Sequence, residues 1–496
     1  MYYYNIGSGK VRTISLVPQS HKPSAFPAPP KKKNAPKKRT KRQRNTRKPS
    51  ISPEKRPPLW YNVFERKQTG KGGLYMAIIT QINLFDYTQI EELGDLERLD
   101  LAFAGIDDEK LMEKLESRRG NGRDDYPVRV MWNLLIAMIV FCHKTVESFR
   151  RELSRNSQLR RKCGLCDYVN KKHLVPPSRV FSGYIKLLSE EAEEIARIFK
   201  VQVEELYELI PGFGKKLAGD GKYIDSYAKK EPPKDQTSTD NRTENDAKWS
   251  VKEYHYADKN GKPQAKKEYH FGFKAHIICD VETELPIAFS VTPANADEKK
   301  EMLKLIENPL LSNEERRKII DYVLLDRGYD SLDMIKSVKN AGIIPIIDIR
   351  NCWKDGDETK QYKDTNIVYN YRGDVFYVDD NGEKQKMKYE GYDKQKKCLR
   401  YAYGNKIHKI YISYDERVFL PIARDSDKFK RIYKGRTSVE RLNGRLDRDY
   451  MFEEHCVRGL KKMTLMVSLS MIIMNGMAIG KIKNGKEKIR SLLNTA

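Results

Sequence analysis

The sequence predicts an α+β protein of several domains, and three observations lead there. Residues 95–210 carry helical periodicity without a strand-rich interruption, and residues 215–345 alternate strand-like runs with helices. Residues 346–430 hold short alternating runs rich in Tyr, Lys, Asp and Gly. The divisions that follow are 1–75, 76–210, 211–345, 346–430 and 431–496. A chain of 496 residues has room for roughly two to four domains, and 39% hydrophobic residues make it globular rather than disordered throughout.

Formal net charge is +25, which points to an acidic polymer as partner. The charge is unevenly placed. Residues 1–75 hold 19 Lys and Arg against 2 Asp and Glu, so the leader supplies +17 and the rest of the chain only +8. The leader is also rich in Pro, from Pro29-Pro30-Lys31 through Arg47-Lys48-Pro49, and is expected to be disordered. It reads either as a basic arm on DNA phosphates or as an extension without consequence. A third reading starts from Lys71-Gly72-Gly73-Leu74-Tyr75-Met76, which can be encoded by a purine tract just before an ATG. Translation would then begin at Met76, and peptides from residues 1–75 in the native protein would sink that idea.

In the helical section, Val130 to Val140 reads as a buried helix and Val146 to Leu159 as an amphipathic one. Arg150, Arg151, Arg155, Arg160, Arg161 and Lys162 are candidates for phosphate contacts or for an ordinary solvated face. Pro176-Pro177-Ser178 reads as the start of the next helix. Further on, Glu268 to Cys279 and Leu285 to Val291 read as strands, while Glu298 to Ile306 and Leu332 to Ala341 read as helices. The polar segment Lys229 to Trp249 reads as a loop. Asn381-Gly382 is expected to form a hairpin turn in the β-rich section, whose interleaved Tyr and Lys suit either flipped bases or an ordinary exposed sheet.

Three acidic residues stand out. The apolar run Tyr322-Val323-Leu324-Leu325 ends in Asp326 with Gly328 two residues on, as when a buried strand delivers a carboxylate at its end. Leu217-Ala218-Gly219-Asp220-Gly221 offers another; Asp225 is an odd number of positions from Asp220 and faces the other side of a regular strand. At helical spacing, Tyr433, Arg436, Glu440 and Asp447 share one stripe, while Val439, Leu442 and Leu446 share an apolar one. Taken singly, each acid also fits a turn, a strand end or a solvated helix. Together they would repel unless a cation joins them, and oxygen ligands favour Mg²⁺ or Mn²⁺.

Asp220-Gly221, Leu325-Asp326-Arg327-Gly328-Tyr329-Asp330-Ser331 and Tyr433-x2-Arg436-x3-Glu440 resemble the three motifs of the DDE transposases of bacterial insertion sequences. The resemblance is to the group with a Tyr-Arg-Glu-Lys-like signature. Phe271-Gly272-Phe273-Lys274-Ala275-His276 and Val291 to Asp297 resemble its strand motifs, and the likeness runs from roughly Leu96 to Ile479. It implies a helical N-terminal domain that binds terminal inverted repeats, then a ribonuclease-H-like catalytic domain interrupted by a β-rich insertion. It further implies that Asp220, Asp326 and Glu440 are catalytic and hold two Mg²⁺ or Mn²⁺ ions. Tyr433, Arg436, Arg441 and Arg445 are then expected on double-stranded DNA, with a homodimer in the synaptic complex. The signature lysine would fall at Asp447, so either Arg448 makes its contact or that contact is lacking. A ribonuclease-H-fold nuclease without strand transfer, and an inactive transposase acting as a DNA-binding protein, are the rival readings.

Seven cysteines in so long a chain do not suggest a disulfide framework, and no apolar signal opens it, so a bacterial cytoplasm near the nucleoid is expected. Cys163 and Cys166, with His173 nearby, have metal-like spacing but no second pair at finger spacing. The apolar run Met463 to Ile479 is short for a membrane span and contains Ser468, Ser470 and Asn475, so a core helix is expected.

Overall fold

A computed structural model describes residues 94–120, 125–165, 175–228, 244–257, 263–307, 313–353 and 356–485, all within one compact unit. The leader, Cys166, His173 and most of the polar segment 229–249 lie outside the described residues.

Among the described residues, seven α-helices precede the sheet: α1 (Glu97–Ala104), α2 (Glu109–Arg119), α3 (Val128–Val140), α4 (Val146–Arg155), α5 (Ser157–Lys162), α6 (Ser178–Leu188) and α7 (Ala192–Leu209). Apolar residues all round α3 make it a core helix, with Trp132, Leu134, Leu135, Ile136 and Ala137 fully buried. Local chemistry starts α4, where Thr145 Oγ1 accepts from Ser148 N at 3.0 Å. The basic residues beside it are largely engaged within the protein. Arg150 donates to Pro176 O at 2.8 Å, Arg155 pairs with Glu152 at 2.5 Å, and Lys162 pairs with Asp100 at 2.5 Å. Arg160 is buried and donates to Leu153 O at 2.6 Å.

The sheet follows, built from β1 (Lys216–Asp225), β2 (Lys248–Ala257), β3 (Pro263–Asp280), β4 (Pro286–Pro293), then, after α8 (Glu298–Leu305) and α9 (Glu314–Ile319), β5 (Tyr322–Leu325), α10 (Leu332–Asn340) and β6 (Ile344–Ile347). Side-chain caps on Asp297, Asn313 and Ser331 start α8, α9 and α10. The long β3 pairs antiparallel with β1, β2 and β4, while β1 pairs parallel with β5 and β5 parallel with β6. Across one end of the sheet the order is therefore β4-β3-β1-β5-β6, three antiparallel strands joined to two that run parallel with β1.

A second cluster of short strands occupies 360–411: β7 (Lys360–Gln361), β8 (Ile367–Tyr369), β9 (Val375–Val378), β10 (Lys384–Lys386), β11 (Lys388–Asp393), β12 (Cys398–Tyr403) and β13 (Lys406–Tyr411). They form one four-stranded and one three-stranded sheet around a core of their own that includes Tyr369, Val375, Leu399, Tyr401 and Phe419. Gly382, at φ +83°, closes the β9–β10 turn where Asn381-Gly382 is expected to do so.

The chain ends in α11 (Asp427–Tyr433), α12 (Thr437–Tyr450) and α13 (Leu460–Lys483). Although α13 is long and apolar enough to cross a bilayer, it is buried and packs on α1, α7 and β4. The helices of the N-terminal half thus share a single core with the sheet. Glycines allow the closest approach: a Cβ at Gly480 would sit 2.3 Å from Leu101 O, and one at Gly105 would sit 2.2 Å from Gly476 O. Within α13, Ser468 and Ser470 donate to carbonyls of their own helix and Asn475 Nδ2 donates to Pro286 O at 3.2 Å, while Asn475 Oδ1 is buried without a partner among the described residues.

Candidate active site

The strand register brings the two aspartates together. Lys216 through Gly219 pair with Tyr322 through Leu325, so Asp220 and Asp326 follow side by side on neighbouring parallel strands. Adjacent strands lie about 4.8 Å apart, which makes the two carboxylates close neighbours. Asp326 ends β5 and caps the short 3₁₀ turn Arg327–Tyr329, its Oδ1 accepting from Gly328 N at 2.6 Å. A Cβ on Gly328 would lie 2.6 Å from that same oxygen, so glycine is what leaves room for the carboxylate. Asp330, its side chain fully buried, accepts from Arg350 N at 3.0 Å and pairs with Arg417 at 2.5 Å, tying this turn to the segment after β13.

Small residues flank Asp220. A Cβ on Gly219 would meet Leu325 Cδ2 at 2.7 Å, and one on Gly221 would meet Tyr329 Oη at 3.2 Å and Glu298 Cδ at 3.7 Å. Asp220 retains some solvent contact, yet desolvation pushes its carboxyl up to about 6, with Asp326 and Glu298 pushing the same way and Gly221 N–H and Arg436 opposing. Tyr329 is buried beside these acids and finds no hydrogen-bond partner among the described residues. Burial, then Asp220, Glu298 and Asp326, raise its phenol well above the ordinary range.

The third acid arrives on a helix. Val439, Leu442 and Leu446 are fully buried, as the apolar stripe predicts, and α12 packs on β1 and β3. The stretch around it is not one helix, however. Residues Lys434–Arg436 form a 3₁₀ turn between α11 and α12, where Gly435 presses so closely on the sheet that a Cβ would lie 2.7 Å from Val281 Cγ1 and 3.1 Å from Leu324 Cδ2. Tyr433 therefore closes α11, with the Arg436 guanidinium 5.8 Å from its ring centroid. Glu440 pairs with Arg436 at 2.8 Å, and three residues on, Asn443 Nδ2 donates to Asp220 Oδ2 at 3.3 Å.

Arg441 and Arg445, expected on DNA, are held within the protein in this structure. Both bind Glu284 on the β3–β4 turn, and Arg445 also donates to Glu284 O at 3.4 Å. They clamp α12 to the sheet, because a helix turn carries its i and i+4 side chains to the same neighbour. Asp447 forms an ion pair with Lys222 at 2.6 Å, and Arg448 is exposed and pairs with Asp449 at 2.6 Å. Residues missed from sequence include Asn443, Lys222, Glu298 and Lys274, whose buried ammonium pairs with Glu298 at 2.7 Å. Period-two alternation from Asp220 could have pointed to Lys222, and helical spacing from Glu440 to Asn443.

The donors suit a hard divalent cation: Asp220 and Asp326 offer only oxygen, burial and then the Asp326 charge raise Asp220, and Tyr329 Oη and Asn443 Oδ1 lie unpartnered nearby. Glu440 is engaged by Arg436, and among the described residues no three His, Cys, Asp or Glu side chains are grouped closely enough to hold an ion.

Residues 235–475 match the family model of the transposase DDE domain, a span that includes Asp326 and Glu440 and begins after Asp220. Among solved structures, the chain is similar to a piggyBac transposase in a synaptic complex with hairpin DNA, at 12% identity and a TM-score of 0.33, covering 80% of this chain and 78% of that one. No curated protein matches it.

Proposed function

We propose that this protein is a metal-dependent DNA transposase that cuts at the ends of its own element and joins the freed 3′ ends to target DNA. The observation that carries the reading is the register that sets Asp220 beside Asp326, with Asn443 of the helix that bears Glu440 donating to Asp220. The order β4-β3-β1-β5-β6, with three antiparallel and two parallel strands, supports a ribonuclease-H-like catalytic core. The transposase-domain match over 235–475 supports the reaction class.

Asp220, Asp326 and Glu440 would hold two Mg²⁺ or Mn²⁺ ions. Bound there, the ions supply Lewis acidity that lowers the pKa of an attacking hydroxyl and offsets charge on the leaving oxygen. The chain's own residues do the rest. Arg436 exchanges its pairing with Glu440 for a phosphate beside the scissile bond, and Tyr433 packs against the flanking strand. Asn443 keeps the Asp220 carboxylate oriented, and the glycines around it admit the backbone of the DNA. Double-stranded transposon ends and target are the partners, a homodimer is the synaptic form, and the bacterial cytoplasm is the compartment.

The test uses the full chain, Mg²⁺ and a plasmid carrying the DNA that flanks the gene. Alanine at Asp220, Asp326 or Glu440 is expected to lower strand cleavage by at least about 10²-fold while duplex binding persists. Cleavage retained by Asp326→Ala would overturn the reading. Pre-cut ends that are hydrolysed but never joined would favour a nuclease, and binding without cleavage by the unaltered chain would favour an inactive DNA-binding descendant.

A further inference from the structure

The polar stripe of α12 is laid along one face of β1. Asp220 and Lys222 are two positions apart and project to the same side of the strand. Above them, Asn443 touches Asp220, and Asp447, one helical turn further, lies 2.6 Å from the Lys222 ammonium. The Lys222 side chain is 12% exposed and that of Asp447 22%, so the pair is sheltered but open to the surface that Asp220 shares. An ammonium carries three donors, and this ion pair leaves capacity for a further acceptor.

The other cations nearby also have acidic partners, and Arg436 is already assigned to the phosphate beside the scissile bond. Arg436 is paired with Glu440, Arg441 and Arg445 with Glu284, Arg448 with Asp449, and Lys274 is buried against Glu298. Of these groups only Lys222 projects from the same strand face as Asp220. We propose that Lys222 receives a phosphate of the DNA strand bound over Asp220, with Asp447 holding the ammonium in position until that strand arrives. Where the sequence leaves open whether Arg448 or nothing replaces a lysine at position 447, the structure delivers the cation from β1 and puts its counter-ion on the helix. This inference rests on the transposase reading and names a residue that reading does not use.

The experiment measures binding of the full chain to a fluorescein-labelled duplex cut from the DNA flanking the gene, in EDTA, from 50 to 200 mM salt. Lys222→Gln should weaken binding roughly tenfold and reduce the slope of log Kd against log salt by about 0.9. Lys222→Arg should keep the slope, and Asp447→Asn should bind at least as tightly as the unaltered chain, because it releases the cation. A purely structural ion pair would make Asp447→Asn lose as much as Lys222→Gln, and that result overturns the proposal. So does a Lys222→Gln protein with unchanged affinity and slope. Thermal unfolding of each variant separates loss of contact from loss of fold; if Lys222→Gln does not fold, the Asp447→Asn and Lys222→Arg affinities decide. If the unaltered chain cuts the duplex in Mg²⁺ while Lys222→Gln behaves as it does, Lys222 alone is wrong. If the unaltered chain neither binds nor cuts, the transposase reading beneath it falls.

Discussion

Asp220 and Asp326 stand on paired strands, whereas Glu440 stands on a helix seated against those strands, and the two regions handle charge differently. In the sheet, backbone hydrogen bonds set the two aspartates side by side, and burial first, with the Asp326 charge adding to it, pushes the Asp220 carboxyl up to about 6. On α12 the acid has its own counter-ion one turn away, Arg436 at 2.8 Å, and the Glu440 side chain is 48% exposed. Burial in the sheet carries an electrostatic cost that the exposed helix face largely avoids. A bound cation would relieve the sheet far more than the helix.

The largest test of that contrast is Asp220→Asn without metal. The folded carboxyl titrates at about 6 against 3.8 for the ordinary group, so ionising it costs stability as pH rises from about 4 to about 6. At pH 8 in EDTA, Asp220→Asn should be more stable by at most about 3 kcal/mol, and by almost nothing near pH 3.5; urea unfolding at both pH values reads this. A variant less stable than the original at pH 8 would erase the supposed cost.

Next comes the seat of the helix. Gly435→Ala forces a methyl against Val281 and Leu324, and a loss of about 1–3 kcal/mol in thermal or urea unfolding is expected. Gly444 lies on the same helix with nothing within 4 Å of a Cβ, so Gly444→Ala should gain about 0.5–1 kcal/mol by the same measurement. Equal effects at the two glycines would mean that α12 does not bear on the sheet through Gly435. Smallest of all, Glu440→Gln removes a half-exposed ion pair and should shift stability by less than about 0.5 kcal/mol. A shift as large as that of Asp220→Asn would abolish the distinction between strand and helix.

Much of this was legible in local pattern. The apolar run 322–325 is β5 with Asp326 at its end, the strand readings 268–279 and 285–291 fall within β3 and β4 apart from Leu285, and 298 and 332 begin helices. Burial of Val439, Leu442 and Leu446 follows from helical period alone, as does the core position of Met463 to Ile479, since an apolar face must find apolar partners. Other features were not legible because they depend on partners distant in the chain. Nothing near Gly435 announces that Val281 and Leu324 will press on it, so the break between α11 and α12 was hidden. Arg441 and Arg445 read as cations for phosphate until Glu284, more than 150 positions earlier, meets both.

Most strands and helices, and the faces that bury, could be read from the amino-acid order alone, because period and turn chemistry are set by near neighbours. Only the tertiary structure decided that Asp220 and Asp326 sit in register, that Asn443 reaches Asp220, and that Asp447 answers a lysine on β1 rather than standing in for one. Those are contacts between elements more than 100 residues apart, and only strand pairing and helix packing bring them within hydrogen-bond range.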